Sequence, residues 1–202
     1  MKIVTEVYFV RHGQSEANRQ HCKAGWSDTP LSPLGRQQAL ETAKLFEDIQ
    51  IDQIFSSDLP RAVETCRRVL PGREPQLCQD LREVSVGSLE GRANKEIRAE
   101  NPEALRIATK YQDFSFWGGE SNNSAKERIW RFVEEKLNTL PEGSKAAVFG
   151  HEGTILYMLD YVLEQNVLIE KLQMDNAAIF KFVRYENGKW KLNSWNYRGA
   201  VF

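Results

Sequence analysis

The sequence contains little cysteine, and the spacing of its cysteines suits neither of their usual structural roles. Only three occur in 202 residues, at positions 22, 66 and 78, so no two have the C-x-x-C spacing of a metal-binding or redox pair. An odd number of widely spaced cysteines argues against a disulfide framework and against a zinc site. We therefore expect free thiols and a reducing compartment.

The sequence also lacks an excess of charge of either sign and any long apolar run. Its 27 Lys and Arg residues are balanced by 28 Asp and Glu residues, which gives a net charge of -1. That balance does not favour a basic surface for nucleic acid, and no apolar stretch approaches the length of a membrane span. Glu6 interrupts the first apolar residues, so a signal-peptide pattern is absent. We expect a cytoplasmic protein with no nucleic-acid or membrane partner.

Strand and helix patterns alternate along the chain. Its 202 residues, 41% of them apolar, suffice for one sizeable core, so residues 1–202 are interpreted as a single domain. A β-hairpin with a turn at Glu186-Asn-Gly188 closes the chain. This order predicts a three-layer α/β/α fold with a mostly parallel central sheet. Strands are expected at 7–10, 52–56, 76–79, 145–151, 177–183 and 189–195, and the clearest helices at 33–46, 60–70, 121–140 and 154–163.

The first strand ends on two residues that suit anion chemistry. Val7 to Val10 is a run of β-formers, and Arg11 and His12 follow where α/β proteins place ligand-binding residues. Arginine presents a planar fork of donors that fits a phosphate. Histidine can be neutral and nucleophilic near pH 7. On its own such a dipeptide is more often a salt-bridged or capping pair, so the interpretation depends on the rest of the chain.

Three further strand or loop ends carry residues of the same kind. Arg61 lies in the first turn of the helix after the second strand, Glu83 in the loop after the third, and His151 at the end of a later strand. In isolation each has a plainer explanation: an ion pair with Glu64 for the arginine, solvation for the glutamate and a helix cap for the histidine. The carboxyl ends of parallel strands share one edge, so these side chains can converge. Together they predict a phosphate site that contains a nucleophile and an acid/base.

The segments around these residues resemble the motifs of the histidine phosphatase superfamily, also called the phosphoglycerate mutase-like family. The matches occur in the family's order from residue 7 to about residue 160. They are Val10-Arg-His-Gly-Gln-Ser-Glu-Ala-Asn18 (R-H-G-E/Q-S/T-x-x-N), Gly25-Trp-Ser-Asp-Thr-Pro-Leu-Ser-Pro-Leu-Gly35 (G-x-x-D-x-x-L-S/T-x-x-G), Ser56-Ser-Asp-Leu-Pro-Arg-Ala-Val-Glu-Thr65 (S-x-L-x-R-A-x-x-T), Leu81 to Gly91 (L-x-E-x-x-x-G-x-x-E-G), and Phe149-Gly-His-Glu-Gly-Thr154 around the second histidine.

The resemblance implies a role for each matched residue. His12 would attack phosphorus and form a phosphohistidine, and Glu83 would donate and accept the proton of the reaction. His151, expected to be protonated, would stabilise the transferring phosphoryl group. No metal or cofactor is implied, because arginines supply the positive charge. The phosphate-binding groups would be Arg11, His12, Asn18, Arg61, His151 and the backbone N–H of Glu152.

One residue departs from the family pattern. The family often has glycine directly after the second histidine, where this chain has Glu152. A carboxylate beside an anion site is unfavourable unless it points away or selects a substrate that bears a positive or donor group.

Residues 92–119 have an irregular pattern and are predicted to form a small cap that sets specificity. Their aromatic residues are expected to pack the cap on the sheet, with stacking on an aromatic substrate as the alternative. Basic residues of this segment could hold a second anionic group. The candidates for substrate contacts are Gln14, Ser15, Trp26, Arg92 and Trp117.

The sequence from Glu83 to Gly91 resembles the phosphatase branch of the family. The mutases of the family, which it resembles less, are longer chains. A phosphatase that acts on a small phosphorylated metabolite is therefore expected. A cofactor-dependent phosphoglycerate mutase is the alternative enzyme, and a non-catalytic phospholigand-binding protein is the alternative from another class.

The protein is expected to be a monomer or a homodimer, since the closing hairpin offers an edge strand for pairing.

Overall fold

The computed structural model describes residues 1–168 and 171–198, and a six-stranded sheet forms its centre. The strands are β1 (Ile3–Arg11), β2 (Gln53–Ser56), β3 (Gln76–Leu77), β4 (Ser144–Gly150), β5 (Ile179–Tyr185) and β6 (Trp190–Tyr197). Their order across the sheet is β3-β2-β4-β1-β5-β6. The first four of these run parallel, whereas β5 is antiparallel to β1 and to β6. The prediction of a mostly parallel sheet is confirmed, and the carboxyl ends of β1, β2 and β4 lie at one edge.

Helices cover both faces of the sheet. They are α1 (Glu16–Arg19), α2 (Pro33–Lys44), α3 (Pro60–Val69), α4 (Asn94–Glu100), α5 (Pro102–Tyr111), α6 (Asn122–Phe132) and α7 (Glu152–Leu163). Successive side chains of a strand point to opposite faces. Val7 and Phe9 of β1 accordingly pack in one core with α6 and α7, and Tyr8 and Val10 pack in another with α2 and α3. The predicted three-layer α/β/α arrangement is confirmed.

Serines begin three of the helices and satisfy donors that the first turn leaves free. The hydroxyls of Ser15, Ser32 and Ser121 each accept a hydrogen bond from the backbone N–H three residues further on. Helix α7 begins at Glu152 and not at Thr154 as predicted. The N-terminus of α7 therefore lies directly at the end of β4.

Two helices differ from a simple reading of the sequence pattern. Leu40 of α2 is 50% exposed, although it is apolar, whereas Ala39 and Phe46 are buried. Adjacent helical residues point about 100° apart, so Leu40 falls outside the stripe that Ala39 and Phe46 define. The helix predicted over 121–140 ends at Phe132 and continues as one π turn, Val133–Leu137.

Residues 92–119, the segment interpreted from the sequence as a cap, do not pack on the sheet. The segment consists of α4, α5 and a 3-10 turn at Ser115–Trp117. Phe114 is buried in a separate apolar cluster with residues of α6 and α7, and Trp117 packs against the same cluster. Tyr111 and Phe116 are 51% and 75% exposed. The expectation that the cap's aromatic residues pack on the sheet was therefore wrong, because helices lie between the cap and the sheet.

The cysteines of the chain are unpaired, and one of them is deeply buried. Cys22, Cys66 and Cys78 are free thiols, as predicted from their spacing. Burial raises the pKa of Cys66 to about 12, so this thiol remains protonated at neutral pH. In the part of the chain that the structure describes, no helix has both the length and the apolar character to cross a membrane.

Candidate active site

His12 follows β1 directly, and hydrogen bonds fix both its backbone and its ring. Its N–H donates to the carbonyl of Gly150 at 2.9 Å, and its Nδ1 lies 2.7 Å from the carbonyl oxygen of Gly13. A carbonyl can only accept, so we assign the hydrogen to Nδ1, and Nε2 then keeps its lone pair. Burial, followed by repulsion from Arg61 and Arg11, holds the pKa of His12 well below its ordinary value. The imidazole is therefore neutral and nucleophilic at neutral pH.

Arg61, in the first turn of α3, is fully buried and anchors the loop before α2. Its Nη1 donates to the carbonyl of Ser27 at 3.1 Å and its Nη2 to the carbonyl of Gly25 at 2.8 Å. Burial lowers the pKa of Arg61 to about 10, so the guanidinium stays charged at neutral pH. Glu64, the partner considered from the sequence, instead pairs with Arg68 at the surface.

His151 is fully buried beside His12, with 5.2 Å between the ring centroids. Its Nε2 lies 2.9 Å from the hydroxyl of Ser57, which also accepts from the N–H of Leu59. Since that hydroxyl still has a hydrogen to donate, we assign the imidazole hydrogen to Nδ1. Burial, and then repulsion from Arg61, lowers the pKa of His151 well below its ordinary value. This lowered pKa favours the neutral ring, whereas the sequence analysis expected a protonated one for the stabilisation of a phosphoryl group.

Glu83 lies in the loop after β3, and its carboxylate reaches the N-terminus of α7. Its Oε1 accepts from the N–H groups of Gly153 at 3.1 Å and Val84 at 2.9 Å. Burial raises the pKa of Glu83, aided by repulsion from Glu152 and opposed by the bond from Val84 and by the arginines. A raised pKa suits a carboxyl group that must hold a proton near neutral pH. The interpretation of Glu83 as a solvated loop carboxylate is wrong.

The side chain of Glu152 points into the site. Its Oε2 lies 2.7 Å from Nη2 of Arg11, while Nη1 of Arg11 donates to the carbonyl of Met174. The Glu152 carboxylate is thus balanced by one of the two arginines and does not point away. The backbone N–H of Glu152 lies in the first turn of α7, where N–H groups have no partner within the helix.

Asn18 faces the same site from α1. Its Oδ1 accepts from the N–H and the hydroxyl of Ser15, each at 3.0 Å, in the capping arrangement that begins this short helix. With Oδ1 held by Ser15, the amide nitrogen of Asn18 remains as the neutral donor expected of it.

Most of these groups, but not His151, line one pocket of about 260 Å³. Its polar lining includes Arg11, His12, Asn18, Arg61, Glu83 and Glu152. Among the described residues, three buried side-chain nitrogens have no hydrogen-bond partner, and all belong to this group of side chains: Nε of Arg11, Nε of Arg61 and Nδ1 of His151, the last a donor in the tautomer assigned above. Buried polar atoms nearly always have partners, so three unsatisfied donors together indicate a site for an anion with several acceptor oxygens. Phosphate is such an anion.

Residues 1–168 and 171–198 contain no cluster of three or more His, Cys, Asp or Glu side chains that could hold a metal ion. The site is defined instead by two arginines and two imidazoles around a pocket. That combination can bind a phosphoryl group, attack it and exchange a proton with it.

Comparison with known sequences gives the family. A sequence model of the histidine phosphatase superfamily (branch 1) matches residues 7–198. The chain belongs to this superfamily. The resemblance noted from the motifs is therefore confirmed over nearly the whole chain.

Relatives of this superfamily member include mutases and phosphatases. A 2,3-bisphosphoglycerate-dependent phosphoglycerate mutase of Allorhizobium ampelinum is 32% identical over 184 residues, or 85% of this chain and 87% of that protein. A probable phosphoglycerate mutase of Salmonella paratyphi A is 28% identical over 194 residues, which cover 94% of this chain and 89% of that protein. A mycobacterial glucosyl-3-phosphoglycerate phosphatase, solved with VO3, has a TM-score of 0.83 at 29% identity, and the match covers 95% of this chain and 98% of that chain.

Two of the residues named from the sequence as substrate contacts, Gln14 and Ser15, have structural partners and do not line the pocket. The side chain of Gln14 accepts a hydrogen bond from Ser32 at 2.8 Å, which joins the loop after His12 to the start of α2. The hydroxyl of Ser15 caps α1. Both residues therefore stabilise the loop after His12, and neither lines the pocket.

The remaining three candidates also lie outside the pocket. The Nε1 of Trp26 donates to the carbonyl of Glu83 at 2.7 Å, so this tryptophan supports the backbone of the proposed acid. Arg92 pairs with Glu100, and Trp117 packs within the cap. Sequence position alone could not show these contacts. The contact of Trp26 joins two segments that are distant in the chain, and those of Arg92 and Trp117 depend on how the cap folds.

The sequence analysis missed the residues on the cap side of the pocket. They are Lys23, Asn94, Thr109 and Gln112. Phe114 also lines the pocket and is one of the cap's aromatic residues for which stacking on a substrate was the alternative interpretation. No motif marks them, because they come from a loop and from the cap. Ser57, which holds His151, was also missed, although it follows β2 directly and the strand-end rule that found the other site residues would have included it.

Proposed function

We propose that this protein is a phosphomonoester hydrolase that acts on a small phosphorylated metabolite through a phosphohistidine at His12. The observation that carries the proposal is the state of His12: Nδ1 is bound to the carbonyl of Gly13, which leaves Nε2 as the nucleophile beside three unsatisfied donors. The two arginines and the backbone N–H of Glu152, in the first turn of α7, supply positive charge for the phosphoryl oxygens, so the proposed reaction requires no added metal.

In the first step, Nε2 of His12 attacks phosphorus as the bond from phosphorus to the alcohol oxygen breaks. The carboxyl group of Glu83 gives its proton to that oxygen, and the alcohol leaves. A phosphate dianion close to Glu83 disfavours loss of its proton, which adds to the effect of burial. The same dianion favours the charged form of His151, so this imidazole gains positive charge as the substrate enters.

In the second step, water attacks the phosphohistidine and the Glu83 carboxylate accepts the proton of the water. The bond between phosphorus and nitrogen breaks, its electron pair returns to Nε2, and inorganic phosphate leaves. Glu83 is then protonated again and His12 neutral, so the site is ready for the next substrate.

A phosphoglycerate mutase is the second candidate, favoured by the names of the relatives from Allorhizobium and Salmonella. Those matches span at least 85% of each chain, so the relatives have a similar length. Chain length therefore does not separate the two activities, contrary to the expectation from the sequence. Hydrolysis is favoured by the segment from Glu83 to Gly91 and by the likeness to a phosphatase over 98% of its chain.

The test is to supply 3-phosphoglycerate, with and without 2,3-bisphosphoglycerate, and p-nitrophenyl phosphate, all in the presence of EDTA. A hydrolase releases inorganic phosphate and forms no 2-phosphoglycerate, and the release depends on His12. Interconversion of the phosphoglycerates in excess of phosphate release would establish the mutase. A protein that binds phosphate without either reaction would be the non-catalytic alternative.

A further inference from the structure

The guanidinium of Arg128, on α6, holds the loop that carries Glu83. Its Nη1 donates to the carbonyl of Asp80 at 2.7 Å and to that of Arg82 at 2.8 Å, and its Nη2 donates to the carbonyl of Glu83 at 3.3 Å. The Arg128 side chain is 11% exposed and is not among the residues that line the pocket around His12. Arg128 therefore contacts the backbone of the proposed proton donor from outside the substrate pocket.

Glu120 pairs with Arg128 and extends the same support beyond Glu83. Its Oε1 lies 3.0 Å from Nε of Arg128, and its Oε2 lies 2.8 Å from Nη2. The Oε2 atom also accepts from the N–H of Ser85 at 2.9 Å, and the N–H of Glu120 donates to the carbonyl of Ser85 at 2.9 Å. The ion pair thus binds backbone groups on both sides of Glu83.

Residues 83–86 belong to no helix or strand, so their backbone groups need partners from elsewhere in the fold. Arg128 and Glu120 supply several of them. Trp26 adds a second donor to the carbonyl of Glu83, with its Nε1 at 2.7 Å. The position of Glu83 therefore depends on side chains from α6, from the residue before it and from the loop before α2.

The carboxyl group of Glu83 has little freedom to compensate for a shift of its backbone. A Cβ added at Gly153 would lie 2.4 Å from Oε1 of Glu83, so the carboxyl group packs directly against the start of α7. A proton donor must lie within about 3 Å of the oxygen that it protonates, and a misplacement of about 1 Å can cost about 100-fold in rate. Support of the Glu83 backbone is therefore support of proton transfer.

We propose that Arg128, in its ion pair with Glu120, is a positioning residue for the proton donor Glu83, and that this pair determines how fast the protein hydrolyses esters with poor leaving groups, such as alkyl phosphates. The proposal rests on the function proposed above. Arg128 acts on the transfer of the Glu83 proton to the alcohol oxygen and leaves phosphate binding unchanged. An ion pair that only stabilises the fold would affect all esters alike.

The test is to measure kcat/KM of Arg128→Lys for glycerol 3-phosphate and for p-nitrophenyl phosphate. Lysine keeps the charge, but one ammonium cannot replace a planar fork that binds several carbonyls and a carboxylate. Formation of the phosphoenzyme needs a proton for the alkyl ester, whereas nitrophenolate leaves without one. We expect the ratio of kcat/KM for the alkyl ester to that for the nitrophenyl ester to fall by about tenfold. Inhibition by inorganic phosphate should stay as in the wild type.

Arg131→Lys is the matched control, because Arg131 also lies on α6 and contacts the same loop. Its Nη2 lies 2.6 Å from Oδ1 of Asp80, and its side chain is 54% exposed, so it pairs with a side chain of the loop at the surface. The ratio of the two kcat/KM values should be that of the wild type. A fall of the ratio in Arg131→Lys equal to that in Arg128→Lys would overturn the proposal.

Glu120→Gln is a second, milder substitution of the same pair. Its amide oxygen can still accept from Ser85, but the charge that orients Arg128 is lost. We expect the ratio to fall in the same direction and by a smaller factor, while Glu127→Gln, at an exposed position of α6, should leave it unchanged. An equal loss of kcat/KM for both esters, or an unchanged ratio, in Arg128→Lys and Glu120→Gln would overturn the proposal.

Hydrogen exchange of the Val84 and Ser85 amides, followed by NMR, reports on the loop without turnover. Val84 donates to the Glu83 carboxylate and Ser85 to Glu120, so both amides should exchange faster in Arg128→Lys and at the wild-type rate in Arg131→Lys. No phosphate release from either ester by the wild type would contradict the proposed hydrolysis. The exchange rates would then still decide whether Arg128 fixes the loop of Glu83, and unchanged rates would overturn that role.

Discussion

The carboxylate of Glu152 and the guanidinium of Arg11 form an ion pair, with 2.7 Å between Oε2 and Nη2. One of the two arginines of the phosphate site is thus already bound to an anion of the protein. The same carboxylate repels Glu83 and so contributes to the raised pKa of that residue. Glu152 therefore connects phosphate affinity with the pH dependence of the reaction.

We predict that Glu152→Gln moves the alkaline limb of the pH profile of kcat/KM to lower pH. The acid limb reflects His12, which must be neutral and whose pKa is lowered; the alkaline limb reflects Glu83, which must be protonated and whose pKa is raised. Removal of the negative charge at position 152 makes loss of the proton from Glu83 easier, so activity is lost at lower pH. Inorganic phosphate should also inhibit at about tenfold lower concentration, because Arg11 is released.

The control is Glu164→Gln, which removes the same charge just beyond the opposite end of α7. Its pH profile should match that of the wild type. An alkaline limb that stays in place or moves upward in Glu152→Gln would contradict the coupling between Glu152 and Glu83.

Glu83→Gln tests whether Glu83 is the proton donor. The amide oxygen of glutamine can still accept from Gly153 and Val84, so the loop is expected to keep its structure. We predict that kcat/KM for an alkyl ester such as glycerol 3-phosphate falls by about 10²- to 10⁴-fold, because the alkoxide needs a proton to leave. The loss for p-nitrophenyl phosphate should be much smaller, because nitrophenolate leaves without protonation. An equal loss for both esters would show that Glu83 does not act as the acid.

Five residues of the proposed site could be predicted from the sequence because they obey one geometric rule. Arg11 is the last residue of β1, and His12, Arg61, Glu83 and His151 each follow a strand or its loop; parallel strands bring such positions to one edge. The rule needs only a correct order of strands, and small errors in strand ends do not affect it.

Features that depend on contacts across the fold could not be predicted in this way. The side chain of Glu152, at the start of α7, points into the site because Arg11 lies at the end of β1. The lowered pKa of His151 follows from its complete burial, and the position of Lys23 beside the pocket follows from how the cap meets the loop. None of these has a local pattern in the chain.

Arg61→Lys tests whether the fork of the guanidinium is needed. A lysine keeps the charge but cannot donate to Gly25, Ser27 and a phosphate at once. We predict a decrease of about 100-fold in kcat/KM. We also predict a decrease of about 1–3 kcal/mol in the free energy of unfolding, since buried carbonyls lose a donor. Arg68→Lys, on the surface of the same helix, should change the free energy of unfolding by less than about 0.5 kcal/mol; equal effects of the two substitutions would contradict this role of Arg61.

Gly35→Ala tests the close contact between α2 and the loop that follows His12. A Cβ at this position would lie 2.0 Å from the carbonyl oxygen of Gln14, so the backbone after His12 must move. We expect a loss of about 1–3 kcal/mol in the free energy of unfolding and of about 100-fold in kcat, because a small displacement of the nucleophile is costly. Gly72→Ala, where φ is +76° and no atom lies within 4 Å of the added Cβ, should lose about 1–2 kcal/mol of stability and no activity. Full activity of Gly35→Ala would contradict the link between α2 and His12.

The most direct test of the account is to trap the phosphoenzyme. The protein is mixed with p-nitrophenyl phosphate, quenched in alkali, in which phosphohistidine survives, and digested for mass spectrometry of the peptide that contains His12. The account predicts phosphate on Nε2 of His12, loss of this species on further incubation, and none in a folded His12→Ala variant. Steady turnover without phosphate on His12, or phosphate on another residue, would contradict it.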